Sequence, residues 1–210
     1  MRVTLIICLC FFSLSLCCQT YYVSDVDTME TVVIDYCVMD DGSIENAHVN
    51  YDNSTYDNLA AKIKALEDFK SFDFNKAKLV RDSCSSFVFR FLNEKYRYSK
   101  LDSMRYSECH KYRKGRFQYH KPNDDVLIKR GKKNQIERDL RTGEILKYQI
   151  NWISDFEYEL IYKKLPSKDL EYLIGQKIYV EIIDIVDSGG YVYRSRTENG
   201  RELVSVIYKK

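Results

Sequence analysis

Residues 108–210 alternate between apolar and polar positions in one short segment after another. In the segment 144–153, for example, Tyr148, Ile150 and Trp152 occupy every second position, with polar side chains between them. A period of two is typical of a β-strand with one buried face. Short strands separated by glycine-containing turns predict an antiparallel meander or a small barrel. The predicted strands are 115–120, 125–130, 135–140, 144–153, 156–162, 176–187, 191–197 and 201–208, with one helical turn at 166–173.

The first half of the chain predicts a smaller unit with the order strand, strand, helix, strand. Segments 31–38 and 44–51 alternate, and the sequence at 40–43 between them is typical of a hairpin turn. Apolar residues at helical spacing predict a helix over 56–69, N-capped by a side chain of 53–55. The last predicted strand is 84–92. The predicted apolar face of the helix consists of Leu59, Ala60, Ile63, Leu66 and Phe69.

The predicted strand order brings two cysteines together. Because the helix reverses the chain once, the third strand runs antiparallel to the first, and an all-antiparallel sheet places the two side by side. Cys37 lies late in the first strand, and Cys84 lies early in the third. Both occupy the face opposite to the apolar side chains of their strands. The sequence therefore predicts a Cys37–Cys84 disulfide, with Cys109 left over as the third cysteine beyond residue 18.

Residues 1–18 have the layout of a secretory signal peptide. Arg2 gives a positive start, an apolar run continues to Cys18, and the polar residues Gln19 and Thr20 follow. At about sixteen residues, the run is shorter than the roughly 20 that a membrane-spanning helix needs. We expect residues 1–18 to be removed and the chain to be exported. A retained membrane anchor and a lipoprotein signal are the alternatives.

Charge and motif content exclude several classes of function. Lys and Arg number 33 against 31 for Asp and Glu, so no strong positive field attracts nucleic acid. No cysteine pair has the spacing of a zinc site, and the turn at 40–43 lacks the distal Glu of an EF-hand. No glycine pattern of a nucleotide-binding loop is present. We expect no metal and no cofactor. We interpret the basic run 129–133 as solvated surface, with phosphate or anionic-lipid contact as the alternative.

Part of the first half resembles a known module, the C-terminal domain of TonB, the energy-transducing protein of the bacterial envelope. The residues that carry the resemblance are Asp41-Gly42-Ser43-Ile44-Glu45-Asn46, Val49, Leu59, Ile63, Phe72, Phe74 and the strand 87–91. It covers about residues 29–94. It implies a domain that pairs a sheet edge with short peptide segments of envelope partners. Because the chain has only 2 prolines, it lacks the proline-rich spacer of TonB, and we do not expect energy transduction.

The second half resembles small exported bacterial proteins of unknown role, whose β-meander is similar to half a lipocalin. The residues that carry this resemblance are Cys109, Tyr112-Arg113-Lys114-Gly115, Phe117, Tyr119, Trp152-Ile153-Ser154-Asp155-Phe156, Tyr158, Leu160, Leu173-Ile174-Gly175 and Lys177. It covers about residues 109–207. Members of this group often have a cysteine where this chain has Phe156, which would pair with the residue matching Cys109. Its absence implies that Cys109 is unpaired or buried.

Together these features predict a non-enzymatic protein exported to the periplasm or associated with the outer membrane, which binds an envelope protein or peptide segment. We expect an α+β protein with a signal peptide at 1–18, a TonB-like β-β-α-β domain at 19–106, and an antiparallel β-meander or half-barrel at 107–210. One alternative is a lipocalin-like carrier, in which Tyr148, Trp152, Tyr158 and Tyr162 line a pocket for a small apolar ligand. A further alternative is a hydrolase with Cys109 as nucleophile; no catalytic residue is assigned.

Overall fold

The structure, a computed structural model, describes residues 20–72, 83–119, 126–140 and 142–210. The predicted signal peptide, Phe74 and the ends of two predicted strands at 120 and 125 lie outside these residues. The chain forms two compact units that divide between Glu94 and Lys95. Among the described helices, none is long and apolar enough to cross a lipid bilayer.

The first unit is a four-stranded sheet covered by one helix. Its elements are β1 (Thr20–Val23), β2 (Met29–Val38), β3 (Ile44–Asn50), α1 (Leu59–Ser71) and β4 (Ser83–Asn93), and the strand order is β1-β4-β2-β3. β2 runs antiparallel to β3 and β4, and β1 runs parallel to β4. The predicted strand, strand, helix, strand order is confirmed. β1 is an additional strand that the sequence did not indicate.

The predicted disulfide is present in this sheet. Cys37 on β2 lies directly opposite Cys84 on β4 in the antiparallel register, and their sulfur atoms are bonded. On the other face of β2, Val32, Ile34 and Tyr36 are buried in the core beneath the helix. The crosslink therefore joins the two central strands on the face away from that core.

The helix differs from its prediction in where it begins. The N-cap is Asn58, whose side chain accepts a hydrogen bond from the Ala61 amide at 3.1 Å. Ser54 and Thr55 bind the neighbouring strand instead: the amide of Val33 donates to Ser54 Oγ and the amide of Thr31 donates to Thr55 Oγ1, each at 2.9 Å. These hydroxyl groups satisfy β2 amides near the end of the β2–β3 pairing, so they are not available to cap α1.

The predicted apolar face of the helix is wrong for three of its residues, Leu59, Ala60 and Ile63, which are exposed. Leu59 is 63% exposed and Ile63 is 51% exposed, whereas Ala65 and Phe69 are fully buried against the sheet. The stem of Lys62 is also buried, and its ammonium group pairs with the exposed Asp57 at 3.1 Å. Because Ala65 is small, the helix backbone can approach the aromatic face of the sheet at this position. Relative to the predicted orientation, the helix is rotated about its own axis so that Ala65 faces the sheet. This rotation leaves Leu59 and Ile63 outside the core.

The second unit is an antiparallel barrel of eight strands. They are β5 (Gly115–Gln118), β6 (Val126–Arg130), β7 (Asn134–Asp139), β8 (Ile145–Trp152), β9 (Glu157–Lys164), β10 (Lys177–Val186), β11 (Gly190–Thr197) and β12 (Glu202–Lys209). The predicted antiparallel meander is confirmed, and it closes completely because β12 pairs with β5. Short 3₁₀ helices at Ser103–Tyr112 and Lys168–Leu173 flank β5 and β10. The α+β class is confirmed.

Removal of the crosslink with the double variant Cys37→Ser/Cys84→Ser should lower the free energy of unfolding of the first unit by about 4 kcal/mol. The bond joins residues 47 positions apart and so restricts the unfolded chain. Urea denaturation followed by far-UV circular dichroism measures the change. The single tryptophan, Trp152, lies in the barrel and provides the control, because its fluorescence transition should not move. An unchanged dichroism transition in the variant would show that the bond contributes nothing.

Candidate functional site

The four aromatic residues predicted to bind a ligand lie together on the inner face of the barrel. Tyr148 on β8 is opposite Tyr162 on β9, with 4.9 Å between the ring centroids, and Trp152 is opposite Tyr158 at 4.7 Å. The three tyrosines are buried, and Trp152 is half-buried. The rings pack against one another, in the manner of a core. Their role in ligand binding stays a prediction.

Beside these rings lies a buried cation that the sequence prediction missed. Arg130 on β6 is 3% exposed, and its guanidinium donates to four oxygen atoms. The acceptors are Gln135 Oε1 at 2.8 Å, the Tyr112 carbonyl at 3.1 Å, Tyr191 Oη at 2.9 Å and Tyr158 Oη at 3.1 Å. Its carbon centre also lies 4.8 Å from the ring centroids of Phe117 and Tyr158. The cation is thus held by hydrogen bonds and aromatic faces together.

Burial alone would lower the pKa of Arg130, because it penalises the charged form. The hydroxyl groups of Tyr158 and Tyr191 outweigh that penalty, and the pKa lies above its usual value. Burial raises the pKa of Tyr191 well above its ordinary value, although the nearby cation opposes this effect. The arginine is therefore charged and the tyrosine neutral at any physiological pH.

The hydrogen-bond network continues from Arg130 to a buried carboxylate. Gln135, which accepts from Arg130, donates through Nε2 to Glu137 Oε1 at 2.7 Å. The hydroxyl of Tyr119 donates to the same oxygen at 2.8 Å. Burial, and then the charge of Glu137, raises the pKa of Tyr119 well above its ordinary value. Gln135 thus connects the buried guanidinium of Arg130 to the buried carboxyl group of Glu137, and these two partners fix its amide orientation.

Sequence reasoning missed this network because Arg130 lies within the run Lys129-Arg130-Gly131-Lys132-Lys133, which we interpreted as solvated. The alternation of residues along β6 does indicate that Arg130 faces inward. Ile128 and Arg130 share one phase of β6, and that phase faces inward, while Lys129 faces solvent. A charge on the apolar phase of a strand predicts a buried, hydrogen-bonded group.

In the first unit, the edge strand β3 borders an open groove. The groove has a volume of about 370 Å³ and is lined by Ile44, Asn46, Ala47 and Lys70. Within the described residues, no strand pairs with the outer side of β3. The β2–β3 register shifts beside Asn46, which has a φ of 55°, and this β-bulge interrupts the edge. His48 Nδ1 lies 2.7 Å from the Asn46 carbonyl oxygen, so the ring covers that acceptor.

The exposed apolar residues of α1 lie on the flank of the helix that faces this groove. Lys70 lines the groove, and Leu59, Ile63 and Leu66 precede it at helical spacing along the same flank. The opposite flank contacts the other edge of the sheet, where Lys64 Nζ lies 6.0 Å from the Tyr21 ring centroid. The groove therefore has the β3 edge on one side and Lys70 on the other, and the apolar helix stripe, Leu59 and Ile63, lies further along the same flank of the helix as Lys70.

Cys109 is buried in the barrel unit and is a free thiol. Burial is the main cause that raises its pKa to about 11. The neighbouring His110 directs its Nε2 to Asp155 Oδ1 at 2.7 Å, and Arg113 donates to the same oxygen at 2.9 Å. A protonated, buried thiol is a poor nucleophile, so this geometry gives no support to the hydrolase alternative.

Comparisons with known proteins do not indicate a function for this chain. No protein-family model, curated protein or solved structure matches this chain. Among the described residues, the outer edge of β3 has no strand partner and lies beside a helix flank with exposed apolar side chains, which is an arrangement suited to binding a chain segment. The described residues of the barrel interior form a hydrogen-bonded network around Arg130, which is an arrangement suited to holding the fold together.

The replacement Arg130→Ala should lower the free energy of unfolding of the barrel by about 3 kcal/mol, because it leaves Tyr158, Tyr191 and Gln135 without their buried donor. Urea denaturation followed by Trp152 fluorescence measures this change in the free energy of unfolding. Arg138→Ala is the matched control: Arg138 lies exposed on the adjacent strand and should change stability by no more than about 0.5 kcal/mol. Equal effects from the two variants would contradict the structural role of Arg130.

Proposed function

We propose that this chain is an exported adaptor of the bacterial envelope that binds an extended peptide segment of a partner protein along β3. The observation that supports the proposal is that the exposed residues Leu59 and Ile63 lie on the helix flank beside the outer edge of β3, which has no strand partner among the described residues. The resemblance of residues 29–94 to the C-terminal domain of TonB implies the same mode of binding. The proposal takes from TonB only the pairing of a strand edge.

The binding mode follows from strand geometry. A segment that pairs with β3 would form main-chain hydrogen bonds along the edge and place alternate side chains on the two faces of the sheet. On the helix side, these side chains would cover Leu59 and Ile63, which the fold leaves exposed. Main-chain bonds give such a complex its affinity, and the apolar helix stripe gives it a preference for apolar residues at every second position.

The bulge at Asn46 gives the edge its selectivity. A regular edge strand pairs with any extended chain and promotes aggregation, and bulges are one device that prevents this. Here the bulge and the His48 ring interrupt pairing at one point. A partner must therefore accommodate the interruption and also fill the groove beside Lys70, which an arbitrary strand does not do.

The Cys37–Cys84 bond is consistent with an oxidising, extracytoplasmic compartment, since disulfides persist there and are rare in the cytosol. The apolar segment that precedes Gln19 supplies the export signal in this proposal. The periplasm or the outer membrane surface is the proposed location.

Selection from a displayed library of random peptides against the full chain tests the proposal. Enriched peptides should carry apolar residues at alternate positions. The replacement Ile63→Asp should weaken their binding at least about tenfold, because it places a charge where an apolar side chain is to be buried. Isothermal titration with an enriched peptide measures the affinity.

The matched control is Ala60→Asp, which puts the same charge on an exposed position of the same helix, away from the groove. It should leave the affinity unchanged, and far-UV circular dichroism checks that both variants are folded. Equal binding by the wild type and Ile63→Asp would refute the site. An apolar dye that binds stoichiometrically and is lost on Trp152→Ala would favour the carrier alternative instead.

A further inference from the structure

A row of exposed cations crosses five neighbouring strands on the outer surface of the barrel. The cross-strand register places its members directly opposite one another, from Arg116 on β5 through Lys129 on β6, Ile136 on β7 and Lys147 on β8 to Lys164 on β9. We call these five residues the basic row. Its four cations are exposed, and Ile136 in the middle is half-buried. With strands about 4.8 Å apart, the row is about 19 Å long.

This arrangement is unfavourable for the isolated barrel. Like charges directly opposite each other on adjacent strands repel, and this applies to Arg116 with Lys129 and to Lys147 with Lys164. Lys163, next to Lys164, is also exposed and adds to the same end of the row. In the part of the chain that the structure describes, none of the four cations forms an ion pair.

Cations elsewhere on the barrel surface do have partners. Lys177 pairs with Glu159 at 3.2 Å, and Arg194 pairs with Glu181 at 3.5 Å. The chain as a whole is nearly balanced, with 33 basic and 31 acidic residues. Composition therefore does not account for the basic row. An external negative surface that approaches a clustered positive field of this kind stabilises it.

Apolar side chains accompany the charges. Leu127 and Ile145, both partly exposed, lie on either side of Arg138 in the neighbouring row of the sheet. Leu140, which follows β7, is 55% exposed at the turn into β8. Basic residues combined with exposed aliphatic ones are typical of surfaces that lie on a lipid interface. Binding of single-stranded nucleic acid instead uses a groove with aromatic stacking platforms, whereas the basic row lies on the convex outside of a barrel.

We propose that the basic row docks the barrel on the surface of a lipid bilayer that contains anionic headgroups. The cations contact the headgroups, and Leu140 enters the interfacial region. This inference is independent of the peptide site at β3, because it rests on residues of the other unit. The proposal also gives a function to Lys129, the exposed residue of the run 129–133 that belongs to the basic row. Its neighbour Arg130 faces inward and donates hydrogen bonds inside the barrel.

Sedimentation of the full chain with lipid vesicles tests the proposal. The chain should bind vesicles of equal parts phosphatidylglycerol and phosphatidylcholine, and it should bind pure phosphatidylcholine far less. The double variant Lys147→Gln/Lys164→Gln should bind the anionic vesicles about 25-fold more weakly, since each basic residue near an anionic surface contributes about fivefold. Leu140→Ser should weaken the binding while leaving its salt dependence unchanged.

The matched control is Lys95→Gln/Lys100→Gln, which removes two exposed charges outside the basic row. It should bind as the wild type does, and circular dichroism confirms that the variants are folded. Absence of vesicle binding, or an equal loss in both double variants, would overturn the proposal. Tight binding to soluble heparin or single-stranded DNA without binding to anionic vesicles would also overturn it and would indicate a polyanion chain as the partner.

Discussion

The charged guanidinium of Arg130 imposes the strictest constraint on the barrel. A buried charge is tolerated only where its donors are satisfied, and here the acceptors and ring faces come from strands distant in the sequence. Tyr112 precedes β5, Gln135 lies on β7, Tyr158 on β9 and Tyr191 on β11. They converge only when the sheet is closed by β12 and β5. Closure of the barrel and the complete hydrogen bonding of the Arg130 guanidinium therefore depend on each other.

The two units differ in whether their sheets have edge strands. The barrel has none, because closure pairs every strand on both sides. The sheet of the first unit retains an outer side of β3 without a strand partner among the described residues, moderated by the bulge at Asn46. The binding that we propose uses outer surfaces: the β3 edge with its apolar helix stripe for a peptide segment, and the basic row for an anionic bilayer.

Patterns with a short period were predictable from the sequence, and patterns that depend on tertiary packing were not. The period of two located most strands, and strand order together with face placed Cys37 opposite Cys84. The helix face was not fixed by spacing, because Leu59 and Ile63 are as regularly spaced as the buried residues, and the bulk of the sheet surface decided the rotation. The inward position of Arg130 was concealed by its basic neighbours. β1 is too short to show a period, and it is held by pairing with β4.

Hydrogen exchange of the Arg130 side chain tests the central claim, that the barrel is closed around a fully bonded cation, most directly. Nuclear magnetic resonance of isotope-labelled protein can follow the Nε–H of each arginine, and exposed Arg138 serves as the internal reference. The account predicts that the Arg130 Nε–H, bonded to Gln135 Oε1, exchanges orders of magnitude more slowly than that of Arg138. Equal exchange rates would mean that water reaches the interior, and the closed, bonded barrel described here would be contradicted.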